Sequence, residues 1–275
     1  MRRNFNSGYI SAQDKRVSKS GCYGLQKHIL ERRRGNFYGP KIAAASSHEV
    51  TRQDDLLAWW KFNETSGTEA ADEIGDNAHP GTLEGPPAWV AGKATAFGNC
   101  LEYDGVDDYV TMANSDGIAG GTNFSVSYWL RFSDPDDGGT VMCKGQSNFW
   151  FNVTPYSWDT MRVYQYAHAS GWKQANLTLP LPDTWYHCVL TIDTSSGDIL
   201  SYRDAVLQDS DTIGTLTAAN ADDWVIGSGS GNAPGGGTDP VNPMPCLIDD
   251  IRFYGVTLSP SDIIAIYGGG NGDFE

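Results

Sequence analysis

Glu102, Asp104 and Asp107 stand close together in LEYDGVDDYVTM, residues 101–112. Paired carboxyl groups are the apparatus of glycoside hydrolysis, and a retaining enzyme needs two of them about 5–5.5 Å apart across the scissile bond. Gly105 interrupts this set. Apolar or aromatic residues alternate with polar ones on both sides of Asp104-Gly105, so the stretch reads as two short strands hinged at that dipeptide. Leu101 and Tyr103 then share one face, with Glu102 and Asp104 on the other. A hinged strand does not carry its carboxylates as one rigid pair, and no catalytic role is expected. There is no His-Ser-Asp ordering, HExxH or phosphate-cradling loop, and Gly235-Gly236-Gly237 lacks a following Lys. The chain is expected not to be an enzyme.

Two further sets could bind rather than react. The loop DEIGDNAHPGTL, residues 72–83, is dense in Asp, Asn, Gly and Pro; such side chains favour turns and can present oxygens to a hard cation such as calcium. In the second set, alternation separates Phe149, Phe151 and Val153 from Trp150 and Asn152, and Met161 and Val163 from Arg162, Tyr164 and Tyr166. If the first group of each faces the core, then Trp150, Arg162, Tyr164 and Tyr166 lie outward. Flat aromatics beside a guanidinium suit sugar stacking, a protein interface or a partly buried packing patch.

The elements that must position these residues are strands. The 275 residues include 32 Gly, 9 Trp, 13 Tyr and 10 Phe with only 19% charged residues, a composition for many short strands joined by glycine turns. FSVSYWLRF, residues 124–132, alternates cleanly, and the segments 140–144, 149–153, 161–166, 172–179, 185–193, 199–204 and 224–226 continue the series. They predict two stacked antiparallel sheets. Near the end, Ser259-Pro260-Ser261-Asp262 supplies a cap, a first-turn proline and an early acid, so a short helix should run to the glycines at 268–270. Five cysteines without CxxC spacing indicate neither a zinc site nor a disulfide framework, and buried free thiols are expected.

Charge divides the chain. Residues 1–52 hold eleven basic and three acidic side chains, so the net charge of −15 splits into +8 and −23. No strand or helix period persists before about residue 50, apart from LQKHILERRR at 25–34. Residues 1–55 therefore read as an extended basic arm and 56–275 as the folded domain. The arm suits attachment to an acidic surface, with Arg32, Arg33 and Arg34 as its charges and Phe37 and Tyr38 among its apolar anchors; a solvated leader fits the same pattern. No run approaches the roughly 18 apolar residues of a spanning helix, and MRRNFNSGYISAQDK lacks the apolar core of a secretory signal.

The ordered set WWKFNETSGTEAADEIGDNAHPGTL, WVAG, LEYDGVDDYV, FSVSYWLRF, WYHCVLTID and IDDIRFYGVTLSPSDIIAIY resembles the laminin G-like, concanavalin A-like jelly-roll family over about residues 56–267. The resemblance implies an all-β, two-sheet antiparallel jelly-roll sandwich. It also implies that the 72–79 loop approaches Glu64 and the last strand, which would make Glu64, Asp72, Asn77 and Asp249 a calcium site. The bland alternative is that Asp72 caps a turn and Asp249-Asp250 is an edge-strand charge pair. Such folds are display scaffolds as well as lectins and hydrolases. The leading expectation is a non-enzymatic structural and recognition protein, anchored by its arm to a larger assembly such as a phage capsid shell. It would stand on the virion surface without a signal peptide and bind surface glycan, with no membrane partner and nucleic acid disfavoured. The alternatives are a free carbohydrate-binding or adhesion module and, behind it, a glycan hydrolase.

Overall fold

The computed structural model describes residues 50–118, 123–133, 139–144, 149–157, 160–167, 171–179, 181–212, 223–229 and 243–273, with the backbone alone at 116, 149–157, 160–167 and 171–172. In chain order the strands are β1 (Leu56–Trp60), β2 (Glu69–Ala70), β3 (Gly81–Glu84), β4 (Ala88–Ala91), β5 (Asn99–Tyr103), β6 (Tyr109–Met112), β7 (Phe124–Phe132) and β8 (Met142–Lys144). There follow β9 (Phe149–Ser157), β10 (Thr160–Ala167), β11 (Gly171–Thr178), β12 (Tyr186–Asp193), β13 (Asp198–Arg203), β14 (Val206–Thr212), β15 (Trp224–Ile226), β16 (Cys246–Tyr254) and an α-helix, α1 (Pro260–Tyr267). Two eight-stranded antiparallel sheets result. The first runs β14-β13-β12-β7-β16-β5-β4, with β1 also paired to β16, and the second runs β11-β10-β9-β8-β15-β6-β3-β2.

Alternation decides what each strand buries. Along β7, Phe124, Val126, Tyr128, Leu130 and Phe132 enter the core between the sheets, whereas Ser125, Ser127 and Trp129 are buried on the outer side. In the core, Trp60 meets Phe253 edge-on at 5.8 Å and Trp224 lies 4.6 Å from Phe253, an arrangement that aromatic quadrupoles favour. Leu101 and Tyr103 of β5 face this core and Glu102 faces out. The hinge at Asp104-Gly105 does more than turn the chain, because β5 and β6 belong to opposite sheets.

A second apolar layer covers the outer face of the first sheet. Trp59, Val189, Tyr254 and Leu258 pack there with Ile263 and Ile266 of α1. The helix forms where the sequence predicts it: Ser259 Oγ accepts the Asp262 N–H at 3.2 Å, and Asp262 Oδ2 accepts the Ser259 N–H at 2.9 Å. Gly268 ends it in the left-handed conformation, φ 56°. Among the described residues, no helix is long and apolar enough to cross a membrane.

Val50 and Thr51, which the sequence places in the arm, pack with the folded domain: Val50 is buried in the outer apolar layer, and the Thr51 N–H donates to Asp273 Oδ2 at 2.5 Å. At the side of the sandwich, β14 carries Asp209 and Asp211 toward the free edge of β11. Their Oδ2 atoms accept the N–H groups of Asn176, at 3.0 Å, and Gln174, at 3.2 Å.

Cys100, Cys143, Cys188 and Cys246 are buried free thiols. Cys246 pairs with Tyr103 and faces the core, while Cys100 lies on the outer side of β5, so a Cys100–Cys246 disulfide is excluded by the pleat.

Candidate functional site

The calcium set expected as one cluster separates into two environments. Asp72 is buried and its carboxylate is fully engaged: Oδ1 accepts the N–H groups of Trp59 at 2.8 Å and Ile74 at 3.0 Å, and Oδ2 accepts that of His79 at 3.2 Å. Burial raises its pKa, and these N–H groups oppose the rise. Asn77 Oδ1 accepts the Asp72 N–H at 2.8 Å, and its Nδ2 reaches Glu69. Both residues therefore close the 72–79 loop on itself, the turn-capping role. Loops with three successive left-handed residues, here Gly75, Asp76 and Asn77, need such fastening.

Asp249 is different. It is not on an edge strand, since β16 runs between β7 and β5. A bulge at Asp250, φ 49°, puts two residues of β16 opposite one of β7, so that Ile248, Ile251 and Phe253 all reach the core while Asp249 and Arg252 lie on the outer side. Asp250 is taken up there, accepting from Trp59 Nε1 at 2.6 Å and Arg252 Nε at 3.0 Å. Asp249, fully buried, receives no well-formed hydrogen bond on either oxygen from the described residues. Burial, then the charge of Asp250, push its pKa up to about 9, against a smaller pull from the Asp250 N–H.

Above Asp249 lies the loop after β4. A Cβ on Gly92 would stand 2.8 Å from Asp249 Oδ2, 3.1 Å from the Gly98 carbonyl oxygen and 3.2 Å from the Asn99 carbonyl oxygen. Three oxygens thus converge on a space that only glycine leaves open. Asn99 Nδ2 donates to the Glu64 carbonyl at 2.7 Å, which ties the turn after β1 to the same place. Glu64 Oε1 accepts the Ala71 N–H at 2.7 Å, and its buried Oε2 has no partner among the described residues. This donor set, carboxylate and carbonyl oxygens without nitrogen or sulfur donors among the three at Gly92, suits a hard cation. The backbone oxygens were beyond the reach of sequence reasoning; Gly92 and Gly98 were the available signal.

The carboxylates of the hinge are arranged as a turn. Asp104 Oδ1 accepts the Val106 N–H at 2.7 Å and Asp108 Oδ2 accepts the Asp104 N–H at 2.8 Å. Asp104, Asp107 and Asp108 form the one group of three potential metal ligands found together among the described residues. Beside them a groove of about 530 Å³ runs over Glu102, Leu247 and Arg131, with Arg131 paired to Asp183 at 3.0 Å.

The residues expected to bind ligand can be placed by backbone register in the second sheet. Strand register aligns Thr82, Thr111, Val225, Cys143, Asn152, Tyr164 and Gln174 in one row across seven strands. The adjacent row, Leu83, Val110, Ile226, Met142, Val153, Val163 and Ala175, belongs to the core side, as the burial of its described members shows. Trp150, Arg162, Tyr164 and Tyr166 therefore occupy backbone positions of the outward rows, and Tyr166 stands between Trp150 and Trp172. Arg32, Arg33, Arg34, Phe37 and Tyr38 lie outside the described residues.

Comparison with known proteins agrees with this architecture. Domain 4 of AbnA, a GH43 extracellular arabinanase from Geobacillus stearothermophilus solved with arabinotriose, is similar with a TM-score of 0.58 and 22% identity, covering 76% of this chain and 97% of that one. The botulinum neurotoxin serotype D binding domain superposes with a TM-score of 0.59 at 17% identity, and the same serotype's ligand-binding domain in complex with N-acetylneuraminic acid with 0.61 at 15%. Each toxin match covers 80% of this chain but 52% of the toxin chain, so this protein spans about half of those domains. No curated protein matches the chain. The family model described as the concanavalin A-like lectin/glucanases superfamily matches residues 104–264, more than half of the sequence, and the chain belongs to that superfamily.

Proposed function

We propose that the protein is a non-enzymatic glycan-recognition sandwich that binds calcium beside Asp249 and is attached through its basic N-terminal segment to a larger assembly, a phage capsid shell that it decorates. The observation that carries the glycan reading is the outward register row of the second sheet, where Trp150, Tyr166 and Trp172 align beside Tyr164 and Arg162. A line of aromatic positions across neighbouring strands offers successive sugar rings a stacking surface, and an adjacent arginine offers donors to hydroxyls. Similarity to domains solved with arabinotriose and with N-acetylneuraminic acid supports the same reading. The test is a glycan array followed by calorimetry on the best hit. Trp150→Ala with Tyr164→Ala should weaken binding at least about tenfold without changing the circular dichroism spectrum. Equal binding by the variant, or release of reducing sugar from the bound glycan, would overturn the reading.

Calcium is supported by the bare, buried Asp249 carboxylate and the two carbonyls that meet it at Gly92. When bound it supplies positive charge to a carboxylate that otherwise stays protonated. Asp249, Gly98 and Asn99 would hold the ion, with Glu64 beside them through Asn99.

Attachment rests on the +8 and −23 division of charge, which supports a basic segment seated on an acidic surface, and the surface of a virion is the proposed location. Stripped shells incubated with the full chain and with a chain lacking residues 1–45 should bind only the first. Equal occupancy would return the protein to the class of free carbohydrate-binding or adhesion modules.

A further inference from the structure

We propose that cation binding beside Asp249 controls how firmly the chain is held at Val50–Thr51, acting through the Gly92–Gly98 loop and the C-terminal tail. The inference deepens the cation reading above and rests on it. Its basis is a continuous set of contacts on the outer face of the first sheet. Asp249 and Trp129 are cross-strand partners there, and the 92–98 loop lies over both. Gly92 N–H donates to the Gly98 carbonyl at 2.9 Å, closing the loop on itself. The residue after Gly92 is Lys93, whose ammonium lies 4.5 Å from the Trp129 ring centroid and 5.2 Å from that of Phe97, and donates to the Gly270 carbonyl.

Gly270 belongs to the tail that follows α1. Tyr267, the last residue of α1, stacks on Trp129 at 6.0 Å, and the Gly272 N–H of the tail returns to the Tyr267 carbonyl at 3.1 Å. Asp273 then joins three segments: its carbonyl accepts from Arg252 Nη2 at 2.7 Å and its Oδ2 accepts the Thr51 N–H at 2.5 Å. Lys93 thus links the loop that holds two of the cation's oxygens to the tail that holds Thr51.

A cation bridging Asp249 to the Gly98 and Asn99 carbonyls binds only the closed loop, and a ligand shifts an equilibrium toward the form that it binds. With the loop closed, Lys93 is held against Trp129 and the Gly270 carbonyl. With the loop open, that restraint on the tail, and through Asp273 on Thr51, is lost. Ion supply would thereby set how firmly the chain is held at residues 50–51.

The test is hydrogen exchange of the full chain by mass spectrometry, in calcium chloride and in EGTA, with calcium uptake followed separately by calorimetry. In the wild type, calcium should slow exchange at 92–99, 264–273 and 50–55 by at least about fivefold. Lys93→Met keeps the aliphatic stem over Trp129 and removes the ammonium. It should keep calcium uptake and the slowing at 92–99 but lose the slowing at 264–273 and 50–55, and Lys93→Arg should restore both. Slowing confined to 92–99 in the wild type, or distal slowing that survives in Lys93→Met, overturns the coupling while leaving the cation site intact. Absence of calcium uptake by the wild type overturns the site and the coupling together.

Discussion

Asp72 and Asp249 are the same side chain at almost the same burial, 3% and 0% exposed, on neighbouring parts of one sandwich. Around Asp72 the backbone brings three N–H groups; around Asp249 it brings two carbonyl oxygens. The first carboxylate is an organiser that the loop cannot close without. The second has no well-formed hydrogen bond among the described residues, and burial holds it in the protonated form, which a cation would displace. Burial alone says nothing about role; the sign of the surrounding backbone dipoles does.

The sharpest way to break this contrast is to remove Asp72. Asp72→Ala leaves three N–H groups without acceptors, so stability in urea should fall by about 3 kcal/mol or more, with or without calcium. A loss below about 1 kcal/mol would mean that water replaces the carboxylate and that the loop does not depend on it.

Asp249→Asn should behave in the opposite manner. In chelator near pH 7.5 folded Asp249 is protonated while the unfolded side chain is ionised, and Asn escapes that cost, so the variant should be more stable than the wild type by on the order of a few kcal/mol. Calcium at a hundred times its dissociation constant should then stabilise the wild type by about 2.7 kcal/mol, a rise in Tm of about 5–10 °C. The variant should show none of that rise. An equal response in both proteins would move the ion elsewhere.

Acidity separates the two further. Asp249 has its pKa raised to about 9 in the folded, metal-free protein, so its contribution to stability is fully present below the ordinary carboxylate value of about 3.8 and is lost as pH rises through 9. His187 works in the other direction: buried against Trp129 and Tyr267 and accepting or donating to Ser127 Oγ at 2.8 Å, it has its pKa lowered to about 3. Its contribution is present above the ordinary histidine value of about 6.5 and is lost as pH falls through 3. In EGTA, Asp249→Asn should flatten the decline in Tm between pH 7 and 9 and leave the acid limb unchanged. An unaltered alkaline limb would show that Asp249 is ionised without an ion.

The smallest effect is expected at Gly92. Its Ala variant places a methyl 2.8 Å from Asp249 Oδ2, in the space between the three oxygens. Calcium affinity should fall about tenfold, 1.4 kcal/mol, and stability in chelator should change less than calcium affinity does. Undiminished affinity by calorimetry would place the ion on another side of the carboxylate.

Much of the fold was legible because strand alternation and helix capping are written in side chains. FSVSYWLRF coincides with β7, and Ser259 with Asp262 forms the capping box that starts α1. β14 was not legible as a strand, since Val206–Thr212 has the composition of a solvated turn, with Asp209 and Asp211 turned toward another strand's amides. The site was legible only where a side chain supplies the chemistry. Asp249 was visible, but its register depends on a bulge, and the carbonyls of Gly98 and Asn99 carry no residue-type signature. Asp72 had the composition of a cation ligand because turn caps and cation ligands draw on the same oxygen-bearing side chains.

The carboxylates of Asp209 and Asp211 on the edge of β11 have a consequence for crowding. An open strand edge is a template onto which another copy can add its own strand, and repetition of that event builds fibrils. Here the amides of Gln174 and Asn176 are already occupied by side chains of the same molecule. An incoming strand would have to displace two negative charges to reach them. Copies packed side by side at high density can therefore touch along this flank without polymerising.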